Sequence, residues 1–265
     1  MDTYLLKRKL SGLSDDWLAH IEYVLDDYLN SLDWQVDESK TLHFLDKLKD
    51  QFSTCSYRKR AYQIRKFLLA NNLDWANQII IPPEPVGLPK RITLDDVHKT
   101  LNYFKGHQYD LQLKAVTLLG ATSGMRAEEL YQLDYVDFDF DKSIVRINHD
   151  PDNGKTTKTS SGRIAIFNHE ANQALIDYFD HYESYDLLQS PFGKFHIQKQ
   201  FHDAPIRVKD LRKFFSQEWD RRCGPTSIKK LLMGHSCDVD LSHYNAQNEN
   251  DLKLIYDKVG IKIGG

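Results

Sequence analysis

The sequence predicts a mainly α protein with one small antiparallel β-sheet, an α+β chain in two domains. Apolar residues recur at helical spacing over most of the 265 residues. The period shifts toward two only between about 135 and 168, and a single proline-rich stretch interrupts the chain at 79–90.

The elements follow in order. Ser14 precedes two acids at a helix start, and Trp17, Ile21, Val24, Leu25, Tyr28 and Leu29 form an apolar stripe, giving a helix from about 15 to 31. A second helix runs through Leu42, Leu45, Leu48 and Phe52. A third spans about 56–71, with Ala61, Ile64, Leu68 and Leu69 inward and a basic surface around them. No glycine falls between Gly12 and Gly87, which suits a helical bundle. Residues 79–90, IIIPPEPVGLPK, hold four of the eight prolines and read as a stiff connector. The domains are therefore 1–80 and 91–265, with 81–90 as linker.

In the second domain Thr93-Leu94-Asp95-Asp96 is a capped helix start, and an apolar helix through Leu111 to Leu119 ends at Ser123-Gly124. VDFDF, SIVRINH and GRIAIFN are short β-branched or aromatic runs separated by turns, which makes a small antiparallel sheet. Helices resume at 170–181, 208–222, 226–233 and about 248–258.

Composition is ordinary for a folded chain, with 41% hydrophobic and 28% charged residues. No apolar run approaches the ~20 residues of a spanning helix, so no membrane partner is expected. Three cysteines without a C-x-x-C pair point to a reducing, cytoplasmic setting. Cys223, His235, Cys237 and His243 match no familiar zinc spacing, and no metal is assigned. The net charge of −3 conceals segregation. Residues 58–66 carry Arg58, Lys59, Arg60, Arg65 and Lys66 with no acid. Residues 194–230 hold ten basic against four acidic residues, so a basic face for a phosphate backbone is available.

No common nucleotide, hydrolase or metal motif is present. Three strings in the second domain are more informative. In ATSGMRAEELYQLDYVDF, Arg126 opens a helix, where the macrodipole disfavours a cation. Either a bound anion or a local bridge to Glu129 would offset this. In VKDLRKFFSQEWDRRCGPTSIKKLLMGHSCDVDLSHYNAQ, Lys209 and Arg212 share a helix face and precede a Leu-Met-Gly-His loop and His243-Tyr244. In NGKTTKTSSGRIAIF, Lys155 and Lys158 lie in a polar loop between strands, free to reach into a groove.

Together and in this order the strings resemble the catalytic domain of the tyrosine recombinases, the phage-integrase and Xer-type enzymes. The shared features are an Arg in a G-x-R-x-x-E-L context, a hairpin Lys, an H/K-x-x-R pair, an L-G-H loop and a Tyr a few residues beyond. The resemblance covers the whole chain, because the family also has a small helical core-binding domain, a linker and a larger catalytic domain. It implies Arg126 and Arg212 as the catalytic arginines, Tyr244 as nucleophile and His235 as the residue of the L-G-H loop. Lys209 stands where His is commoner, as in archaeal-type integrases. Counting back from Arg163, which resembles the basic residue opening the third strand, favours Lys158 as the hairpin lysine, with Lys155 the alternative. Tyr244 is one of 14 tyrosines, and Tyr256 is the next along the chain.

The implied activity is site-specific cleavage and rejoining of double-stranded DNA through a covalent 3′-phosphotyrosine, without a cofactor. A tetramer on DNA is implied, with 249–265 as a trans-packing tail and the helix at 56–71 on DNA. Two other readings share parts of this pattern. One is a type IB topoisomerase-like nicking-closing enzyme; the other is a DNA-binding or architectural protein with a lapsed active site.

Overall fold

The computed structural model describes residues 1–181, 190–235 and 248–264. The chain divides into two compact units, Met1–Pro89 and Lys90–Gly265. No helix among the described residues is long and apolar enough to cross a membrane.

The first unit is a bundle of four helices, α1 (Asp2–Leu10), α2 (Asp15–Ser31), α3 (Glu38–Gln51) and α4 (Thr54–Ala70), closed by a short 3₁₀ turn at Asp74–Gln78. The stripe of α2 buries Ile21, Val24, Leu25, Tyr28 and Leu29 against Ala61, Ile64 and Leu68 of α4, while Leu69 stays half-buried. Tyr28 brings a hydroxyl into this core and pairs it with Thr41 of α3 at 2.7 Å, so the polar atom is satisfied. Helix α1, which the sequence did not announce, docks through Tyr4, edge-on to Phe67 at 5.4 Å between centroids. Residues 79–93 hold no helix or strand, and Val86 and Leu88 are fully exposed on that segment.

The second unit is built around α6 (Asp110–Ser123), whose residues Ala115 through Ser123 are all buried. A helix apolar on every side belongs at the centre of its domain. It packs against α8 (His169–His181) and α10 (Val208–Arg221), and Gly120 lets α10 approach because a Cβ there would lie 2.8 Å from Leu211. Helix α5 (Leu94–Phe104) starts in a full capping box: Asp96 accepts from the Thr93 backbone N–H, and Thr93 accepts from the Asp96 N–H. Short helices α7 (Ala127–Leu130), α9 (Lys194–Gln200) and α11 (Thr226–Met233) complete the frame; α9 was not foreseen.

The sheet is antiparallel in the order β1 (Phe138–Asp139), β2 (Ile144–Ile147), β3 (Arg163–Ile166), with Ile144 opposite Ile166 and Ile147 opposite Arg163. That register buries Ile144, Val145, Ala165 and Ile166 and sets Arg163 at the loop end of the hairpin.

The residues expected as a trans-packing tail, 249–265, pack within their own unit over the described residues 248–264. The C-terminal helix, Glu249–Val259, buries Tyr256 completely, and the Tyr256 hydroxyl donates to the Thr122 carbonyl at 2.8 Å. Ile261 and Ile263 are buried beyond it. Glu170 accepts from the backbone N–H groups of Ile263 and Gly264 at 2.7 and 2.6 Å, and His98 contacts the Ile263 carbonyl. The physical reason is burial: these apolar residues find their core at home.

Candidate active site

Helix α6 ends at Gly124, which takes a left-handed conformation with φ +67. A Cβ there would collide with the Phe215 ring of α10, so glycine serves both the turn and the close approach. The chain then reverses through Met125 and presents Arg126 as the N-cap of α7. Arg126 turns back on Glu129. The carboxylate accepts from the Arg126 backbone N–H at 2.7 Å and from its guanidinium at 2.8 Å, while a second guanidinium nitrogen donates to the Gly234 carbonyl at 2.7 Å. Of the two ways to offset a cation at this helix start, the local bridge is present.

Arg163, at the start of β3, reaches the same carboxylate at 2.8 Å and donates to the Leu232 carbonyl at 3.0 Å. Glu129 is therefore held between two arginines with only 2% of its side chain exposed. Burial alone would raise its pKa; Arg163 first and Arg126 next overcome that and hold it below the usual carboxylate value. Sequence reasoning used Arg163 only as a register mark and gave Glu129 no part beyond a possible bridge. Their spacing of 34 residues carries no local signal.

Arg212 enters from the first turns of α10 and donates to the Gly124 carbonyl at 2.7 Å. It pairs with neither Asp210 nor Glu218: Asp210 binds Lys90 and Lys213, and Glu218 binds Arg221 and Arg222. Burial, then the nearby Arg126, lowers its pKa to about 10, so it remains a cation at neutral pH. Lys209, one turn earlier, is exposed at the lip of a 350 Å³ cavity shared with Ala127, Glu128, Tyr131 and Arg207.

His235 follows Gly234, the left-handed end of α11 with φ +62. His235 is exposed by its overall accessibility, and partial burial first, with Arg212 and Arg126 next, lowers its pKa. The imidazole is neutral near pH 7. Arg126, Arg212 and His235, separated by 86 and 23 residues in the sequence, thus meet where the Gly124 and Gly234 turns converge. Three guanidinium groups face one carboxylate, and that carboxylate is engaged in bracing. The surplus positive charge is suited to an anion with several oxygens.

The hairpin lysines separate. Lys155, expected to be free in the groove, is instead tied to Asp134 at 2.7 Å and Asp137 at 2.6 Å, with 17% of its side chain exposed. Folding brings both carboxylates to this one cation. Lys158 is exposed on the next turn, in no ion pair among the described residues. Tyr244, Cys237 and His243 lie outside the described residues, and no group of three potential metal-ligating side chains gathers within them.

In the first unit the basic residues of α4 have unequal freedom. Arg65 donates to the Ala76 and Asn77 carbonyls at 3.1 and 3.3 Å and so closes the 3₁₀ turn. Arg60 lies over the Phe52 ring at 4.2 Å and Lys66 over Tyr62 at 4.8 Å. Lys59 is exposed and Arg58 half-exposed.

A mainly helical unit with a three-stranded sheet and an arginine cluster braced by one glutamate defines an α+β domain with a site suited to an anion. Comparison with known proteins places it. The phage integrase family matches residues 90–251. Tyrosine recombinase XerA of Thermococcus onnurineus (strain NA1) is 26% identical over 249 residues, covering 89% of this chain and 85% of the relative. The Tn1549 transposon integrase in complex with circular intermediate DNA is similar in fold, with a TM-score of 0.68 at 14% identity, covering 91% of this chain and 92% of that one. A lambda integrase tetramer bound to a Holliday junction is similar too, with a TM-score of 0.66 at 12% identity over 90% of this chain and 77% of that one. The chain belongs to the phage integrase family, the site-specific recombinases of the tyrosine type.

Proposed function

We propose that this chain cleaves and rejoins double-stranded DNA by passing the 3′-phosphate of a broken strand through Tyr244. The observation that carries the reading is the convergence of Arg126, Arg212 and His235 beside a single, already neutralised carboxylate.

In the forward step the Tyr244 oxygen attacks phosphorus, the bond from phosphorus to the 5′-oxygen breaks, and the departing oxygen takes a proton. Charge builds on the non-bridging oxygens, where Arg126 and Arg212 meet it; donors of this kind are each worth about 10²–10³ in rate. Both guanidinium groups spend part of their hydrogen bonding on backbone carbonyls, which fixes their direction before substrate arrives. Neutral His235 shares a hydrogen bond with the phosphate or accepts the Tyr244 proton. Lys209 adds a cation at the N-terminal turn of α10, whose unpaired N–H groups also favour an anion.

Lys158 is the better acid for the leaving oxygen. Burial alone would lower the Lys155 pKa, but its bonds to Asp134 and Asp137 raise it, and a tightly paired lysine yields its proton poorly. The phosphotyrosine retains the energy of the broken bond, so a free 5′-hydroxyl can reverse the step on the same or another strand.

The first unit positions DNA through Lys59 and Arg58 of α4. Exchange between two duplexes needs several active sites, and the similarity to a lambda integrase tetramer supports four copies on DNA. The free thiols of Cys55 and Cys223 fit a cytoplasmic location. The test is incubation with nicked duplexes that tile candidate sites: a covalent adduct that resists SDS is expected. Tyr244→Phe should bind DNA and form none. An adduct that persists in that variant moves the nucleophile elsewhere.

A further inference from the structure

The loop between β2 and β3 folds as two consecutive turns. In the first, Asp150 and Lys155 exchange backbone hydrogen bonds at 2.7 and 2.9 Å around Pro151–Asn153, and Gly154 takes φ +75 to complete it. The side chain of Lys155 crosses to Asp134 and Asp137, on the segment that follows α7. Asp137 is 5% exposed and also accepts from Asn148 at 3.1 Å, and the next residue, Thr156, donates its N–H to Gln132 at 2.7 Å. The second turn is anchored by buried Thr157: its N–H donates to His149 at 3.1 Å, and its hydroxyl exchanges hydrogen bonds with Ser161 at 3.0 Å. Lys158 is the next residue, carried at the exposed end of that turn.

We propose that Lys155 is a positioning residue: its double ion pair with Asp134 and Asp137 fastens the base of the hairpin to the Arg126-bearing segment and so aims Lys158 at the leaving oxygen. This rests on the reading of Lys158 as the general acid. The connection is short. Two residues separate the lysines, and on the other side of the strut the chain runs from Asp134 back through Leu133 and Gln132 to α7 and Arg126. One carboxylate pair, Asp137 buried and Asp134 half-buried, therefore holds the proton donor and a charge-stabilising arginine in one frame. A displacement of about 1 Å at a reacting group can cost about 10²-fold, so the strut has leverage without touching substrate.

The experiment uses the full chain and two versions of a nicked duplex, one normal and one with sulfur in place of the scissile 5′-oxygen. A thiolate leaves without a proton, so a defect confined to the acid disappears on the sulfur substrate. Lys155→Met keeps the stem and loses the charge; it should form adduct about 10–100-fold more slowly on the normal substrate. On the sulfur substrate it should come within about threefold of the unchanged protein, and Lys155→Arg, which can still bridge two carboxylates, should restore the normal rate. Lys158→Ala should also be rescued by sulfur.

If Lys155→Met is slow on both substrates, or normal on both, the positioning role is overturned. If Lys155→Met is rescued by sulfur while Lys155→Arg stays slow on the normal substrate, Lys155 itself supplies the proton and the inference is again wrong. Failure of Lys158→Ala to show rescue instead removes the acid assignment beneath it. Asp134→Asn, which leaves the contact of Lys155 with Asp137, provides a milder variant should Lys155→Met fail to fold. It must show the same selectivity for the normal substrate.

Discussion

Arg163 donates to Glu129 at 2.8 Å across 34 residues of sequence, and the same carboxylate receives the guanidinium of Arg126 at 2.8 Å. One acid thus sets the direction of both Arg126, proposed to meet the phosphate, and Arg163. The first consequence concerns pH. The Glu129 pKa is lowered in the fold, so its pairing stabilises fully above the ordinary value of 4.5 and is lost as pH falls through the lower folded value. Glu129→Gln should therefore cost about 3 kcal/mol at neutral pH, because two half-buried arginines lose their buried counterion. The deficit relative to the unchanged protein should shrink as pH falls below 4.5 and through the lower folded value. Chemical denaturation at the two pH values measures it; a deficit that stays constant with pH would remove the ion pair as its source.

Tyrosine identity gives the second prediction. Tyr256 is buried, its pKa is pushed far up by that burial, and its hydroxyl is engaged with the Thr122 carbonyl, so it has no access to a phosphate. Tyr256→Phe should lose about 1 kcal/mol of stability and keep adduct formation. Tyr244→Phe should show the reverse pattern. Loss of the adduct in Tyr256→Phe with stability intact would contradict the assignment.

Much of this was legible in the sequence, and the failures have a common cause. Thr93 with Asp96, Ser123-Gly124 and the alternation around Ile144–Ile147 are local signals, and each element formed where its signal lay. Helix α1 was missed because Tyr4 is its single buried residue, too little for a periodic stripe. Helix α9 is seven residues long and starts after a glycine, which reads as loop. The bracing of Glu129 by Arg163 and the locking of Lys155 by Asp137, 18 residues away, depend on the sheet register, which no window of sequence contains. The C-terminal residues Ile261 and Ile263 lie beyond the last helix, where periodicity stops.

The basic face of α4 yields the third prediction. Arg65 is committed to the Ala76 and Asn77 carbonyls, whereas Lys59 is open to solvent. Lys59→Ala should weaken DNA binding across sequences and reduce the salt slope by about 1, the signature of one lost phosphate contact. Arg65→Ala should instead lower the unfolding midpoint of the chain, with little change in slope. Binding isotherms at several salt concentrations, beside thermal melts, separate the two. Equal salt slopes for Lys59→Ala and the unchanged protein would place α4 away from the phosphates.

Gly234 provides the last prediction, since it joins backbone geometry to the arginine cluster. Its φ of +62 lies in the left-handed region, where a side chain costs about 1 kcal/mol. A Cβ added there would also lie 2.7 Å from Nε and 2.8 Å from Cδ of Arg163, the atoms held in place by the bond from Nε to the Leu232 carbonyl. Arg163 would have to yield, loosening Glu129 and with it Arg126, whose guanidinium is bonded to the Gly234 carbonyl itself. Gly234→Ala should therefore slow adduct formation by more than the backbone strain accounts for, about 10²-fold where the arginine is displaced by about 1 Å. Gly193→Ala is the control, because Gly193 has no positive φ and nothing within 4 Å of its added Cβ; it should leave the rate unchanged. A Gly234→Ala protein that is less stable yet cleaves at the normal rate would show that the Arg163 brace does not govern Arg126.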